Sequence, residues 1–170
     1  MIFWHLGVTL FLFLWIFKDR TADLRYLLIG SLLPDLIDKF LYLVEVTDNS
    51  RTYGHTLLLA VSTLFIVMFI TNKNSSNRKS YLLVPIALLF HLLLDEMWLF
   101  KETLFWPIFS GQFSQHISSA NSLLELFIIS INKAEVLIKE FIGAGFLFFA
   151  LNEDREFKRN FSRIIRTGKY

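Results

Sequence analysis

The stretch YLLVPIALLFHLLLDEMWLF, Tyr81–Phe100, decides the fold. It is almost continuously apolar and long enough for a membrane helix, which needs about 20 such residues. His91 and Asp95 interrupt it four positions apart, a spacing that places two side chains on one face of a helix. Because ionisable groups are costly inside a membrane, this pair predicts a functional site. The alternative is a His–Asp hydrogen bond that only ties two helices together.

The composition indicates a membrane protein of one domain. Of the 170 residues, 54% are hydrophobic and 19% are charged. Soluble domains average about 45–50% apolar and about 25% charged residues. The chain has no cysteine, which excludes disulfides and thiolate ligands, so any metal must be held by His, Asp or Glu.

Hydropathy predicts an all-α fold, a polytopic membrane helix bundle of about five spans. One span is interrupted by Pro34 and also carries acidic residues. Besides Tyr81–Phe100, the expected spans are Ile2–Phe17, Asp23–Val46, His55–Thr71 and Val136–Leu151. Residues 1–152 then form the membrane-embedded helical domain, and residues 153–170 form a basic tail.

Basic residues predict the orientation in a cell (inner or cytoplasmic) membrane. They cluster in KDRTADLR (18–25), in TNKNSSNRK (71–79) and in the tail 153–170. Since Lys and Arg favour the cytoplasmic side, these segments are expected there and the N-terminus outside. The tail carries no motif that reads bases, so the lipid bilayer is the expected partner and nucleic acid is not. The sequence gives no indication of an oligomeric state.

Two further motifs carry candidate site residues. In SLLPDLIDK (31–39), Asp35 and Asp38 share one helix face, and close carboxylates repel unless a cation or proton lies between them. The alternative is that Pro34 and Asp35 start a helix and that Asp38 pairs with Lys39 or with a nearby Arg. In RTYGHT (51–56), Arg51 is able to grip a phosphate or carboxylate beside His55. Taken alone, this motif also fits an interfacial His with an Arg whose charged end reaches water.

The predicted orientation brings six side chains to a similar depth, although His5 alone is typical of an interfacial histidine. They are His5, Asp35, Asp38, His55, His91 and Asp95. Nitrogen and oxygen ligands without sulfur favour zinc, with manganese or iron as alternatives. A site for a divalent metal is therefore expected.

The order of these motifs resembles a known family. His5, PDLID (34–38), SRTYGHT (50–56), HLLLD (91–95) and FWP (105–107) follow the pattern of the predicted membrane-bound metal-dependent hydrolases. Some members of that family are described as LexA-binding, inner-membrane-associated hydrolases. The resemblance implies that the six side chains form the metal site. Ser50 and Thr52 stand where the family pattern has His and Gly, which puts one ligand, and with it a second metal, in question.

The sequence is consistent with two functions, which belong to different classes of protein. The first is a metal-dependent hydrolase that cleaves a phosphoryl or acyl ester of a lipid-like or small-molecule substrate. Asp38 or Asp95 would be its general base, and Arg51 would bind the substrate. The second is a non-enzymatic membrane protein, a metal or proton carrier or a scaffold, that uses the same His/Asp cluster. Transporters usually contain paired broken helices, and this chain shows a single Pro-interrupted acidic segment.

Overall fold

The computed structural model describes residues 1–17, 22–75, 77–114, 125, 128 and 132–153. All of the regular structure in these residues is helical, as the sequence predicts. The α-helices are α1 (Ile2–Ile16), α2 (Leu24–Leu43), α3 (Leu57–Ile70), α4 (Arg78–Leu94), α5 (Lys101–Leu104) and α6 (Ala134–Glu153). Short 3₁₀ turns cover Tyr53–His55 and Met97–Leu99.

Helices α1 and α6 pack closely because glycine lines their contact. A Cβ atom at Gly7 would overlap the carbonyl oxygen of Gly143, and one at Gly143 would overlap the carbonyl of Phe3. Helix α6 also caps the start of α1: the carboxylate of Glu140 accepts hydrogen bonds from the N–H groups of Ile2 at 2.6 Å and Phe3 at 2.7 Å. These N–H groups have no partner within their own helix.

Helices α2 and α4 form the second close pair. Gly30 of α2 lies against Val84 and Ala87 of α4, where a Cβ atom would meet both residues. The two helices start side by side, since the N–H of Asp23 donates to Ser80 Oγ at 2.9 Å. Helix α2 continues through Pro34, so the predicted interruption does not end it.

Helix α4 ends before the predicted Phe100. Glu96 has φ 55°, in the left-handed region, and a non-glycine residue in that conformation cannot continue a right-handed helix. The Asp95 N–H still donates to the His91 carbonyl at 2.9 Å. Asp95 therefore follows His91 by one turn, as predicted, although it lies at the helix end.

The helices occur where the sequence predicts spans, but with different lengths. Helix α1 has 15 residues and α3 has 14, fewer than the about 20 that a span requires. Among the described helices, none is both long and apolar enough to be a candidate for crossing a membrane. The helical part of the prediction is confirmed, and the five spans have no support from these helices. Apart from Glu153 at the end of α6, the predicted basic tail lies outside the described residues.

Helices α1, α2 and α4 each contribute to two buried clusters, one from each half of the helix. One half of each helix contributes to a buried apolar cluster, which we call the apolar end: Leu10, Phe13, Leu24, Leu27, Leu83 and Ala87. The opposite halves, with the 3₁₀ turn Tyr53–His55 and the C-cap of α4, bring together the polar end: His5, Asp35, Asp38, His55, His91 and Asp95.

Candidate metal centre

Two histidines face each other at the centre of the polar end. The Nε2 atoms of His55 and His91 lie 3.2 Å apart, and neither side chain is exposed. Asp35 and Asp95 complete a group in which one ligand atom from each residue lies within 4.8 Å of the others. Three of these four residues are buried and Asp35 is half-buried. This Asp–His–His–Asp group is able to hold a divalent metal.

The hydrogen bonds on the other ring nitrogens determine which atoms carry protons. His55 Nδ1 lies 2.7 Å from Asp38 Oδ2, and His91 Nδ1 lies 2.7 Å from the carbonyl oxygen of Ser31. Both partners only accept, so in the neutral rings Nδ1 carries the hydrogen and Nε2 keeps its lone pair. When both rings are neutral, the two Nε2 lone pairs therefore point at each other. Metal-binding histidines typically have this arrangement, with the remote N–H bound to a carboxylate or backbone carbonyl.

The segment from Thr52 to His55 binds Asp38 from several directions. The carboxylate accepts from the Thr52 N–H, from Thr52 Oγ1 at 3.0 Å, from the Gly54 N–H at 2.7 Å and from His55 Nδ1. Gly54 is required for this approach, since a Cβ atom there would overlap the carbonyl oxygen of Pro34. Asp38 thus lies behind His55 and orients it. The structure does not place it among the four facing groups, where it was predicted as a ligand and base.

Cations flank the two carboxylates of the group. Asp35 Oδ1 lies 3.7 Å from His55 Nε2, while its Oδ2 lies 3.1 Å from Lys39 Nζ. Asp95 Oδ2 lies 3.4 Å from His55 Nε2 and 2.8 Å from Arg51 Nη2. The Arg51 side chain is 25% exposed and that of Asp95 only 2%, so Arg51 reaches the buried group from its accessible side.

His5 lies beside this group. Its ring stacks on His91 with centroids 4.1 Å apart and an interplanar angle of 22°. Its Nε2 lies 3.1 Å from Asp95 Oδ1, yet neither atom has a partner in hydrogen-bond geometry. The Nδ1 atom of the same buried ring is also without one.

The family model of the YdjM inner membrane proteins matches residues 2–153. The chain belongs to this family. No curated protein and no solved structure matches it. The family name identifies an inner membrane protein, in agreement with the predicted localisation, and it indicates no hydrolytic activity.

In this YdjM-family chain the structure gathers all the predicted side chains at one end but gives them different positions. Four form the facing group, Asp38 lies behind His55, His5 lies beside Asp95, and Arg51 binds Asp95. Lys39 pairs with Asp35, whereas the alternative interpretation of the sequence had paired it with Asp38.

Sequence reasoning missed two contributors, Ser31 and Thr52. Ser31 acts through its backbone carbonyl, a group that every residue has, so no sequence signal marks it. Thr52 had a signal, because it departs from the family pattern at the position that binds Asp38 through both N–H and hydroxyl.

Proposed function

We propose that this protein is a membrane-embedded, metal-dependent hydrolase acting on a phosphoryl or acyl ester of an amphiphilic, lipid-like substrate. One observation carries the proposal. The Nε2 atoms of two buried imidazoles face each other across 3.2 Å, with two carboxylates alongside. An all-nitrogen and oxygen donor set favours zinc, with manganese and iron as the alternatives. When bound, a divalent metal polarises an ester bond and makes water more acidic.

The chain's own residues prepare this position before any metal binds. Asp38 and the Ser31 carbonyl fix the tautomers of His55 and His91. Asp35 and Asp95 add negative charge beside the two rings. Neither predicted general base takes that role in the proposal, because the oxygens of Asp38 accept from several donors and Asp95 belongs to the facing group.

Arg51 is the proposed substrate-binding residue. Its guanidinium lies at 2.8 Å from Asp95 Oδ2 and is partly exposed, so it is both next to the group and reachable from outside. A planar guanidinium binds phosphoryl and carboxylate oxygens through two parallel hydrogen bonds. Arg51 would hold the anionic part of the substrate next to the ester bond.

The exposed apolar surface supports a lipid bilayer as the partner. Large hydrophobic side chains lie on the outside of the long helices, among them Phe40, Phe69 and Phe141, which are 62%, 85% and 77% exposed. Soluble monomers rarely expose contiguous apolar patches larger than a few hundred Å². Together with the family assignment, this supports a multi-pass arrangement in which the outer faces contact lipid and the polar end is shielded.

Metal analysis and ester hydrolysis of the purified full-length protein test the proposal. We expect bound zinc, manganese or iron, and metal-dependent release of nitrophenol from a nitrophenyl phosphate or a nitrophenyl acyl ester. His91→Ala should lose both metal and activity, whereas Asp48→Ala, at an exposed loop position, should keep both. A protein without metal would overturn the proposal. Stoichiometric metal without hydrolysis of either ester would favour the non-enzymatic metal carrier.

A further inference from the structure

The segment 105–113, which follows α5 and which we call the aromatic loop, packs against the turn that carries His55. Tyr53 in that turn makes edge contacts with Trp106 and Phe113, with ring centroids 5.1 Å and 4.9 Å apart. Trp106 and Phe113 stack on each other at 5.3 Å. Because Tyr53 precedes His55 by two residues, the three rings hold the aromatic loop beside the polar end.

Polar contacts hold the residue that follows the aromatic loop. The Ser114 N–H donates to Thr103 Oγ1 at 3.0 Å, and the Ser114 carbonyl accepts from Asn49 Nδ2 at 2.6 Å. Arg51 lies in the sequence between Asn49 and Tyr53, which both contact this part of the chain. The aromatic loop is therefore tied to the segment whose arginine reaches the buried group from its accessible side.

The tip of the aromatic loop exposes apolar side chains. Ile108 is 91% exposed and Phe109 is 65% exposed, and the Ile108 N–H closes a turn by donating to the Phe105 carbonyl at 2.9 Å. Trp98 and Leu99, just before α5, are exposed as well. Single exposed apolar side chains are ordinary, whereas a group of them at one place marks an interaction surface.

The chemistry of this surface fits the interface of a lipid bilayer. Aromatic rings with a polar atom are enriched at headgroup level, and Trp106 donates its indole N–H to the Gly111 carbonyl at 3.3 Å. The aromatic loop has no charged residue, and the neighbouring Lys101 and Glu102 cancel each other. Apolar burial would therefore hold it, without attraction to anionic headgroups. The family of inner membrane proteins to which the chain belongs supplies the bilayer.

We propose that the aromatic loop inserts into the headgroup region of the bilayer and places Arg51 at the level of the polar part of a lipid. The inference shares the bilayer with the proposed function, but it needs neither bound metal nor hydrolysis. Interfacial helices bury their apolar face about 5–10 Å into the boundary between headgroups and acyl chains. A similar depth is expected for Ile108 and Phe109, in zwitterionic lipid and at any salt concentration.

Fluorescence depth measurements on the full-length protein in phosphatidylcholine vesicles test the insertion. The chain has no cysteine, so Ile108→Cys carries a bimane label at one position, and the exposure of Ile108 leaves the fold undisturbed. We expect a blue-shifted emission that is quenched more by lipids brominated near the headgroup end of the acyl chain than near its methyl end. The control is Asn74→Cys, exposed in the polar turn between α3 and α4, whose label should emit as in water without quenching.

The outcomes separate this inference from the proposed function. A label at Ile108 that emits as in water would overturn the insertion and leave the metal centre unaffected. A blue shift without quenching by brominated lipid would also overturn it, because a second copy of the chain would then cover the surface. Insertion that needs anionic lipid would contradict the role given to apolar burial. Quenching in a protein that binds no metal would support the insertion while the proposed function failed.

Discussion

Helices α1, α2 and α4 contribute to both the apolar end and the polar end, yet the two ends are held together by different forces. Leu10, Phe13 and Leu27 are buried in the apolar end, where burial stabilises without regard to direction. In the polar end His91, Asp38 and His55 each need a particular partner. A buried polar group without a partner costs free energy. The comparison indicates that non-directional burial stabilises the apolar end, whereas specific polar contacts stabilise the end that carries the chemistry.

The largest expected effect is the loss of the Asp38 carboxylate. Asp38→Ala leaves the donors of Thr52, Gly54 and His55 unpaired in a buried place. Each buried group left unpaired costs about 1–3 kcal/mol, so we expect the free energy of unfolding to fall by roughly 4 kcal/mol or more. Urea unfolding of the metal-free protein measures it. Asp48→Ala should change stability by less than about 0.5 kcal/mol, and an equally small change for Asp38→Ala would contradict the assigned contacts.

A cavity in the apolar end should lower stability without affecting metal binding. Phe13 is 1% exposed, and removing a buried Phe side chain costs about 3–5 kcal/mol. We expect Phe13→Ala to lower the unfolding free energy by that amount, while the zinc dissociation constant of the folded protein stays within about twofold. Calorimetric titration below the unfolding temperature checks this. A tenfold weaker zinc affinity would show that the two ends are coupled.

A metal ion bound at the polar end should raise the free energy of unfolding. Free zinc at a hundred times its dissociation constant adds about 2.7 kcal/mol to the unfolding free energy when it binds only the folded state. Thermal unfolding with zinc and with a chelator measures this difference. His91→Ala should abolish it, and Phe13→Ala should keep it. A stabilisation that persists in His91→Ala would place the metal elsewhere.

The smallest effect is expected at Gly7, where α1 meets α6. Gly7→Ala forces a methyl group against the backbone of Gly143, and overpacking of this kind costs about 1–3 kcal/mol. Gly145 on the same helix α6 has no neighbouring atom within 4 Å of an added Cβ. Gly145→Ala should therefore leave the free energy of unfolding unchanged or raise it by up to about 1 kcal/mol. Equal effects of the two substitutions in thermal unfolding would contradict the close contact.

The helices were predictable because their apolar residues recur over long, uninterrupted stretches. Val136–Leu151 was expected and Ala134–Glu153 is observed. The end of α4 was not predictable. It depends on the left-handed backbone of Glu96, a conformation that a glutamate side chain gives no reason to expect.

The candidate site was predictable as a set of residues and not as an arrangement. Spacing alone places Asp35 and Asp38 on one helix face. Their different surroundings depend on which donors the segment Thr52–His55 brings to α2, and that is a tertiary contact. The same applies to His5, whose neighbour Asp95 lies far away in the sequence.

The pairing of α1 with α6 has a consequence for how the molecule acquires its structure. The N–H of Phe3 is bound by Glu140, a separation of 137 residues, and His91 is bound by Ser31 across 60 residues. Contacts between distant parts of a chain form slowly, because closing a long loop costs entropy before any contact stabilises it. As the chain is synthesised, α1 has to wait for the last described helix before its first turn is capped. The four facing groups, which end at Asp95, are therefore synthesised before Glu140, the residue that caps α1.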